Sequence, residues 1–176
     1  MKSCLRYIDL FTDTVGRALA WCVPLMMAIT AVVVVSRYGF GVGLTAFQEA
    51  ITYLHGTVFM LGAAYALQKG AHVRVDIFYQ RFSPRTRAWV DSIGTLVFLL
   101  PLCGLIVITS WSFTANAWAI REASVEPGGI PAVFLLKTLI PAMAINLALQ
   151  GIAELLRNAL VLMGDEAAEL PERGQL

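Results

Sequence analysis

Four apolar runs, separated by short polar stretches, set the pattern of this chain. Residues 18–36 lie between Arg17 and Arg37, and residues 50–68 between Glu49 and Lys69, with no Asp, Glu, Lys or Arg inside either run. A longer run covers 92–120. A shorter one covers 138–153 and extends into a helix past Lys137 or Glu154. A spanning helix needs roughly 20 mainly apolar residues to cross ~30 Å of hydrocarbon. The pattern therefore predicts an all-α integral membrane protein with transmembrane helices at about 18–38, 48–68, 88–118 and 133–158. At 1.5 Å per residue the third run would be roughly 44 Å long, so it must tilt or project from the membrane at one end. Pro24 stands one or two turns inside the first run, where a kink is expected. That run is too long for a signal peptide, its lead carries Asp9 and Asp13, and no A-x-A-like site follows Val35; it reads as a retained span.

Between the second and third spans, Val73, Val75 and Ile77 alternate with Arg74 and Asp76, and Phe78 and Phe82 follow at helical spacing. This predicts a short interfacial segment at about 71–82, its apolar side chains dipping into acyl chains while its cations meet anionic head groups. Ser83 followed by Pro84 signals a helix start, with serine as N-cap and proline where no donor is needed. Pro127, Gly128, Gly129 and Pro131 break the third connection. The chain reads as a single four-helix membrane domain, 1–176, with 164–176 a flexible cytoplasmic tail.

Composition sharpens this reading. Hydrophobic residues make up 58% of the chain, charged residues only 14%, and the mean hydropathy is +0.71. A soluble domain of this length could not cover so much apolar surface. The net charge of +1 supplies no field for nucleic acid. Placement of the charge matters more than its sum. Ten of the thirteen lysines and arginines fall in the two tails and the second connection, which puts both termini in the cytoplasm. The aromatic residues agree, with Trp21, Tyr65 and Trp89 near the inner interface and Tyr38, Tyr53, Trp111 and Trp118 near the outer one.

Candidate chemistry is sparse. Cys4, Cys22 and Cys103 match no zinc or C-x-x-C spacing and read as small apolar filler. No catalytic, cofactor or metal site is predicted. His55, inside the second span, is read either as a haem ligand or proton relay, or as a histidine satisfied in a helix contact; the second reading is preferred, because haem ligation would need a histidine on a facing helix and His72 lies on the cytoplasmic side. Arg37 and Glu49 bracket the first outer loop and are expected either to pair or to stand as ordinary interfacial charges. Gly62 and Ala66, at i and i+4, form a small-residue face that serves intrachain packing or docks another membrane subunit. Glu154 and Arg157, at i and i+3, are placed to pair near the inner end of the fourth helix. Asp76 has Arg74 and Arg81 within reach, and Arg87 stands in the first turns of the third helix, at the cytoplasmic interface.

Five segments then carry a family resemblance: RYGF at 37–40, FQEA at 47–50, FMLGAAYAL at 59–67, GAHVRVD at 70–76 and SPRTR at 83–87. In order and spacing, over roughly residues 15 to 160, the chain resembles the small DctQ-like membrane subunit of tripartite ATP-independent periplasmic (TRAP) transporters. That family often has Trp and paired acids where Phe47, Gln48 and Glu49 stand, so this chain keeps one carboxylate. The resemblance implies an accessory subunit of the bacterial inner membrane that binds no cofactor itself. Its partners would be a large membrane subunit, which carries solute and sodium ions, and a periplasmic solute-binding protein, which delivers a solute that is often an organic acid. The third loop, with Arg121, Glu122 and Glu126, is the expected docking place for the binding protein. The sequence agrees in one respect: it shows no repeats or broken helices of the kind that form transport sites. The alternatives are a self-sufficient four-helix redox protein or enzyme, and a small homo-oligomeric channel.

Overall fold

The computed structural model describes residues 2–71 and 82–164. Nearly all of the expected interfacial segment, with Arg74 and Asp76, lies outside the described residues, as does the tail beyond 164. Among the described residues every regular element is a helix. Four helical stretches are long and apolar enough to cross a membrane: Leu5–Phe40, Thr45–Gln68, Pro84–Ala119 and Val133–Leu162. They contain the four predicted spans and exceed every one of them.

The largest departure from the sequence pattern is at the N-terminus. The charged lead is a helix, α1 (Lys2–Ala20), which passes through Trp21 into α2 (Cys22–Phe40). Thr12 and Leu19 are buried on one side of α1, and Asp9, Asp13 and Gly16 share that side. The break between the two helices has a local cause. Pro24 offers no N–H and its ring opposes the carbonyl of Ala20, four residues back. The backbone tightens there, with the Trp21 N–H bonding to Ala18 O at 3.2 Å.

α3 (Thr45–Gln68) ends in a left-handed glycine. Gly70 has φ 66, its N–H bonds to Leu67 O at 3.0 Å, and the Ala71 N–H bonds to Ala66 O at 2.9 Å. This pair of bonds closes the last carbonyls of the helix. α4 (Pro84–Gly94) begins as the sequence predicts, with Ser83 Oγ accepting the Thr86 N–H at 3.3 Å and Pro84 opening the helix. A π-turn (Thr95–Leu99) joins α4 to α5 (Leu100–Ala119) without a break. Here the Leu100 N–H reaches Thr95 O, five residues back. Pro101 follows at once, and the wider turn accommodates a residue that cannot donate.

α6 (Val133–Leu162) is the centre of the bundle. It packs against α1, α3, α4, the π-turn and α5, while α2 packs on α3 at one edge. The contacts are close because the buried positions are small: Ala64, Ala88, Cys103, Ala117, Ala144 and Ala153. Without water to exclude, membrane helices associate through such close packing. Glycine permits two further approaches. A Cβ at Gly16 would lie 2.2 Å from the Tyr65 ring, and one at Gly151 would lie 2.4 Å from Leu99 in the π-turn. Pro141 sits buried inside α6 and frees the carbonyl of Lys137. Thr114 Oγ1 on α5 donates to that carbonyl at 3.4 Å, so the neighbouring helix replaces the missing bond.

Candidate functional site

Polar groups gather at the two ends of the bundle, and each end is a clasp built differently. One, called the inner clasp after the cytoplasmic end expected from the sequence, joins α1, α3 and α6. Asp9 is its hub. Arg157 Nη2 donates to Asp9 Oδ2 at 2.8 Å, and Arg157 Nη1 donates to Glu154 Oε1 at 2.5 Å. Gln68 Nε2 donates to the Asp9 backbone carbonyl at 2.8 Å and to Oδ1 at 3.3 Å. Gln150 Nε2 reaches the same Oδ1 at 3.4 Å, and Thr12 Oγ1 donates to Gln150 Oε1 at 3.0 Å. Gln150 is fully buried, and Glu154 and Arg157 are 5% and 4% exposed, so water competes little for these bonds. Around them, Asp13 binds Lys69 at 3.0 Å and Arg17 at 2.8 Å, a more exposed pair of bridges. Removing one partner of a buried ion pair leaves a charge without compensation, which costs about 3–5 kcal/mol.

The outer clasp ties the start of α3 to the loop between α5 and α6. Ser124 Oγ donates to Glu49 Oε1, and the Ile130 N–H donates to Oε2 at 2.6 Å. The loop folds on itself as well. The Ser124 N–H bonds to Ile130 O at 3.2 Å, the Gly129 N–H to Glu126 O at 2.9 Å, and the Glu126 N–H to Ser124 Oγ at 3.1 Å. Gly128 has φ 75, and a Cβ at Gly129 would lie 2.5 Å from Ser124 Oγ and 2.7 Å from Glu49 Oε1. Both glycines are therefore fixed by the loop. On its flank Lys137 Nζ binds Glu122 Oε2 at 2.5 Å and lies 4.0 Å from the centre of the Phe113 ring. Trp118 Nε1 donates to Thr138 Oγ1 at 2.8 Å.

The predicted residues divide as follows. Glu154 and Arg157 are paired and buried. Glu49 is bonded at both oxygens, but its partners are Ser124 and Ile130 rather than Arg37. Of the two readings left open by the sequence, the Arg37–Glu49 pair is not the one seen: Arg37 is exposed at the end of α2 and joins no ion pair among the described residues, because the folded loop occupies the carboxylate. Gly62 is not at a close contact within the chain, since nothing lies within 4 Å of where its Cβ would be. Ala66 is half-buried, and Arg87 is half-buried on α4. Sequence reasoning missed Asp9, Thr12, Gln68, Gln150, Ser124 and Gly129. The one available signal was helical spacing in the lead, where Leu5, Ile8, Thr12 and Leu19 recur on one side.

Four spans and two end clasps define a multi-pass helical membrane protein whose ionised groups brace its own helices. A family model described as "Tripartite ATP-independent periplasmic transporters, DctQ component" matches residues 26–160. The chain belongs to that family, and it is a TRAP transporter small subunit, a transport component and not an enzyme. Among curated proteins it is similar to a Haemophilus influenzae protein described as "Putative TRAP transporter small permease protein". The two are 29% identical over 113 residues, covering 62% of this chain and 70% of that one. No solved structure matches the chain.

Proposed function

We propose that this chain is the fixed, accessory membrane subunit of a sodium-coupled, binding-protein-dependent importer of small organic solutes, organic acids foremost. It pairs with a large permease subunit in the bacterial inner membrane, both termini in the cytoplasm. The observation that carries this reading is the use to which its charged groups are put. Asp9, Arg157 and Glu49 are bonded to groups on neighbouring elements, and Glu154 holds Arg157 from its own helix, so the helices are braced against one another. Such bracing suits a platform against which another subunit moves. Solute and sodium ions pass through the large subunit, and the symport needs no cofactor on this chain.

The test is made in whole cells and in mild detergent. Tagged protein brings down a larger polytopic partner, and deletion abolishes uptake; a chain that purifies alone and is dispensable for uptake defeats the reading. The outer loop is the place where the periplasmic binding protein docks. Glu126 and Arg121 are exposed there on a backbone held by the clasp. Glu126→Lys lowers uptake at limiting binding protein while leaving the two membrane subunits assembled.

A further inference from the structure

We infer that the outward side of α3, along Gln48, Thr52, His55, Phe59, Gly62 and Ala66, is the seat of a transmembrane helix of the large permease subunit. The inference rests on the two-subunit reading above and adds which surface makes the contact.

These six positions recur every three or four residues, so they form a single line on the helix. The opposite side is the packed one, where Ala64 and Gln68 are buried against the rest of the chain. Gln48, Thr52 and His55 are exposed, and Phe59 is 73% exposed. His55 is the one histidine within the four apolar runs, and no Asp, Glu, Lys or Arg lies in any of them. It lies six residues inward of Glu49, roughly 9 Å at 1.5 Å per residue, and so below the level of the outer loop. Its ring stacks on Phe59 with centres 6.5 Å apart. Neither ring nitrogen is hydrogen-bonded within the described chain. Thr52 is different, since its hydroxyl bonds back to Gln48 O at 3.5 Å.

Acyl chains offer no partner for an imidazole, and ionisable groups in spans face protein or water. The exposed sides of the neighbouring helices show the contrast. α2 presents Val23, Leu25, Met27, Val32 and Val35, and α6 presents Ile145, Leu149 and Ile152. Those surfaces suit lipid. The α3 surface asks for a hydrogen-bonding group opposite His55. Two and three turns further in, Gly62 and Ala66 leave room for a bulky side chain to enter, with open space over Gly62. A membrane helix carrying a hydroxyl, amide or carboxyl group, followed two turns on by a large apolar residue, fits both features.

The experiment uses the co-expressed transporter with the photo-crosslinking amino acid p-benzoylphenylalanine at position 59 or 62, and at position 34 or 145 as controls. Positions 59 and 62 are expected to crosslink to the large subunit at least tenfold more than the controls. Gly62→Trp is expected to reduce the co-purified large subunit at least tenfold while leaving the thermal unfolding of this chain unchanged. His55→Leu lowers it less. If the wild-type chain retains the large subunit but crosslinks come from 34 or 145 instead, the surface is wrong and the two-subunit reading stands. Crosslinks from 59 to a second copy of this chain, or to lipid alone, also overturn the assignment. If the wild type retains no large subunit, both readings fall together.

Discussion

The inner and outer ends of the bundle both hold helices together with carboxylates, yet they do so by different means. At the inner end the bonds run mainly between side chains on three helices, and the Glu154 and Arg157 charges are buried. At the outer end a single carboxylate grips a hydroxyl and a backbone N–H of one loop. The inner clasp therefore sets how α1, α3 and α6 sit against one another. The outer clasp sets the shape of a loop whose helices are already packed by Trp118, Phe134 and Lys137. Damage inside should spread, and damage outside should stay local.

Three measurements break or sharpen that contrast. Arg157→Met strands two carboxylates, one of them in a nearly dry site, and is expected to destabilise the protein by about 3–5 kcal/mol. The readout is unfolding of the purified protein in detergent, and the triple variant with Asp9→Asn and Glu154→Gln should recover most of the loss. A loss that the triple variant does not recover would show that the arginine acts through packing, not charge. Glu49→Gln keeps the shape but weakens the bonds that Ser124 and Ile130 make to a charged group. Its effect should appear as faster hydrogen exchange in residues 122–131, with exchange in α1 unchanged; equal loosening of α1 would abolish the distinction between the ends. Smallest is Ser83→Ala, which removes the cap of α4 and should cost about 1 kcal/mol. It should fray the first turn of that helix and leave both clasps intact, as exchange in the same experiment would show.

The sequence made some of this plain and hid the rest for physical reasons. The spans were readable because each is a long apolar run between charges. Ser83 and Pro84 were readable because capping is local chemistry, and so was the Glu154–Arg157 pair, which needs only helical spacing. Asp9 was not readable as a hub. Its partner Arg157 lies 148 residues away, and a charged residue in an N-terminal lead looks solvated until the helix carrying it is packed. The partners of Glu49 were hidden for a similar reason. Arg37 is its neighbour along the chain, but Ile130, 81 residues distant, is its neighbour in space. Gly62 and Gly16 make the same point from glycine. Only the packed structure separates the one that is filled, by Tyr65, from the one that stands open.

The π-turn at Thr95–Leu99 carries a consequence for how this protein can vary. It accommodates one residue more than a regular helix would hold over the same stretch. Loss of a single residue there would let the backbone close into ordinary α-helix at little local cost. The helix beyond would keep its facing relative to α4, because the bulge holds the extra residue within one turn. Ser110 and Thr114, buried on α5, would stay against α6, and the Lys137 carbonyl freed by Pro141 would keep its donor. The change would be confined to the turn itself, where Leu99 fills the space over Gly151. Loss of one codon between residues 95 and 99 should therefore be tolerated better than loss of one elsewhere in this helix, a bias that a codon-deletion scan would expose.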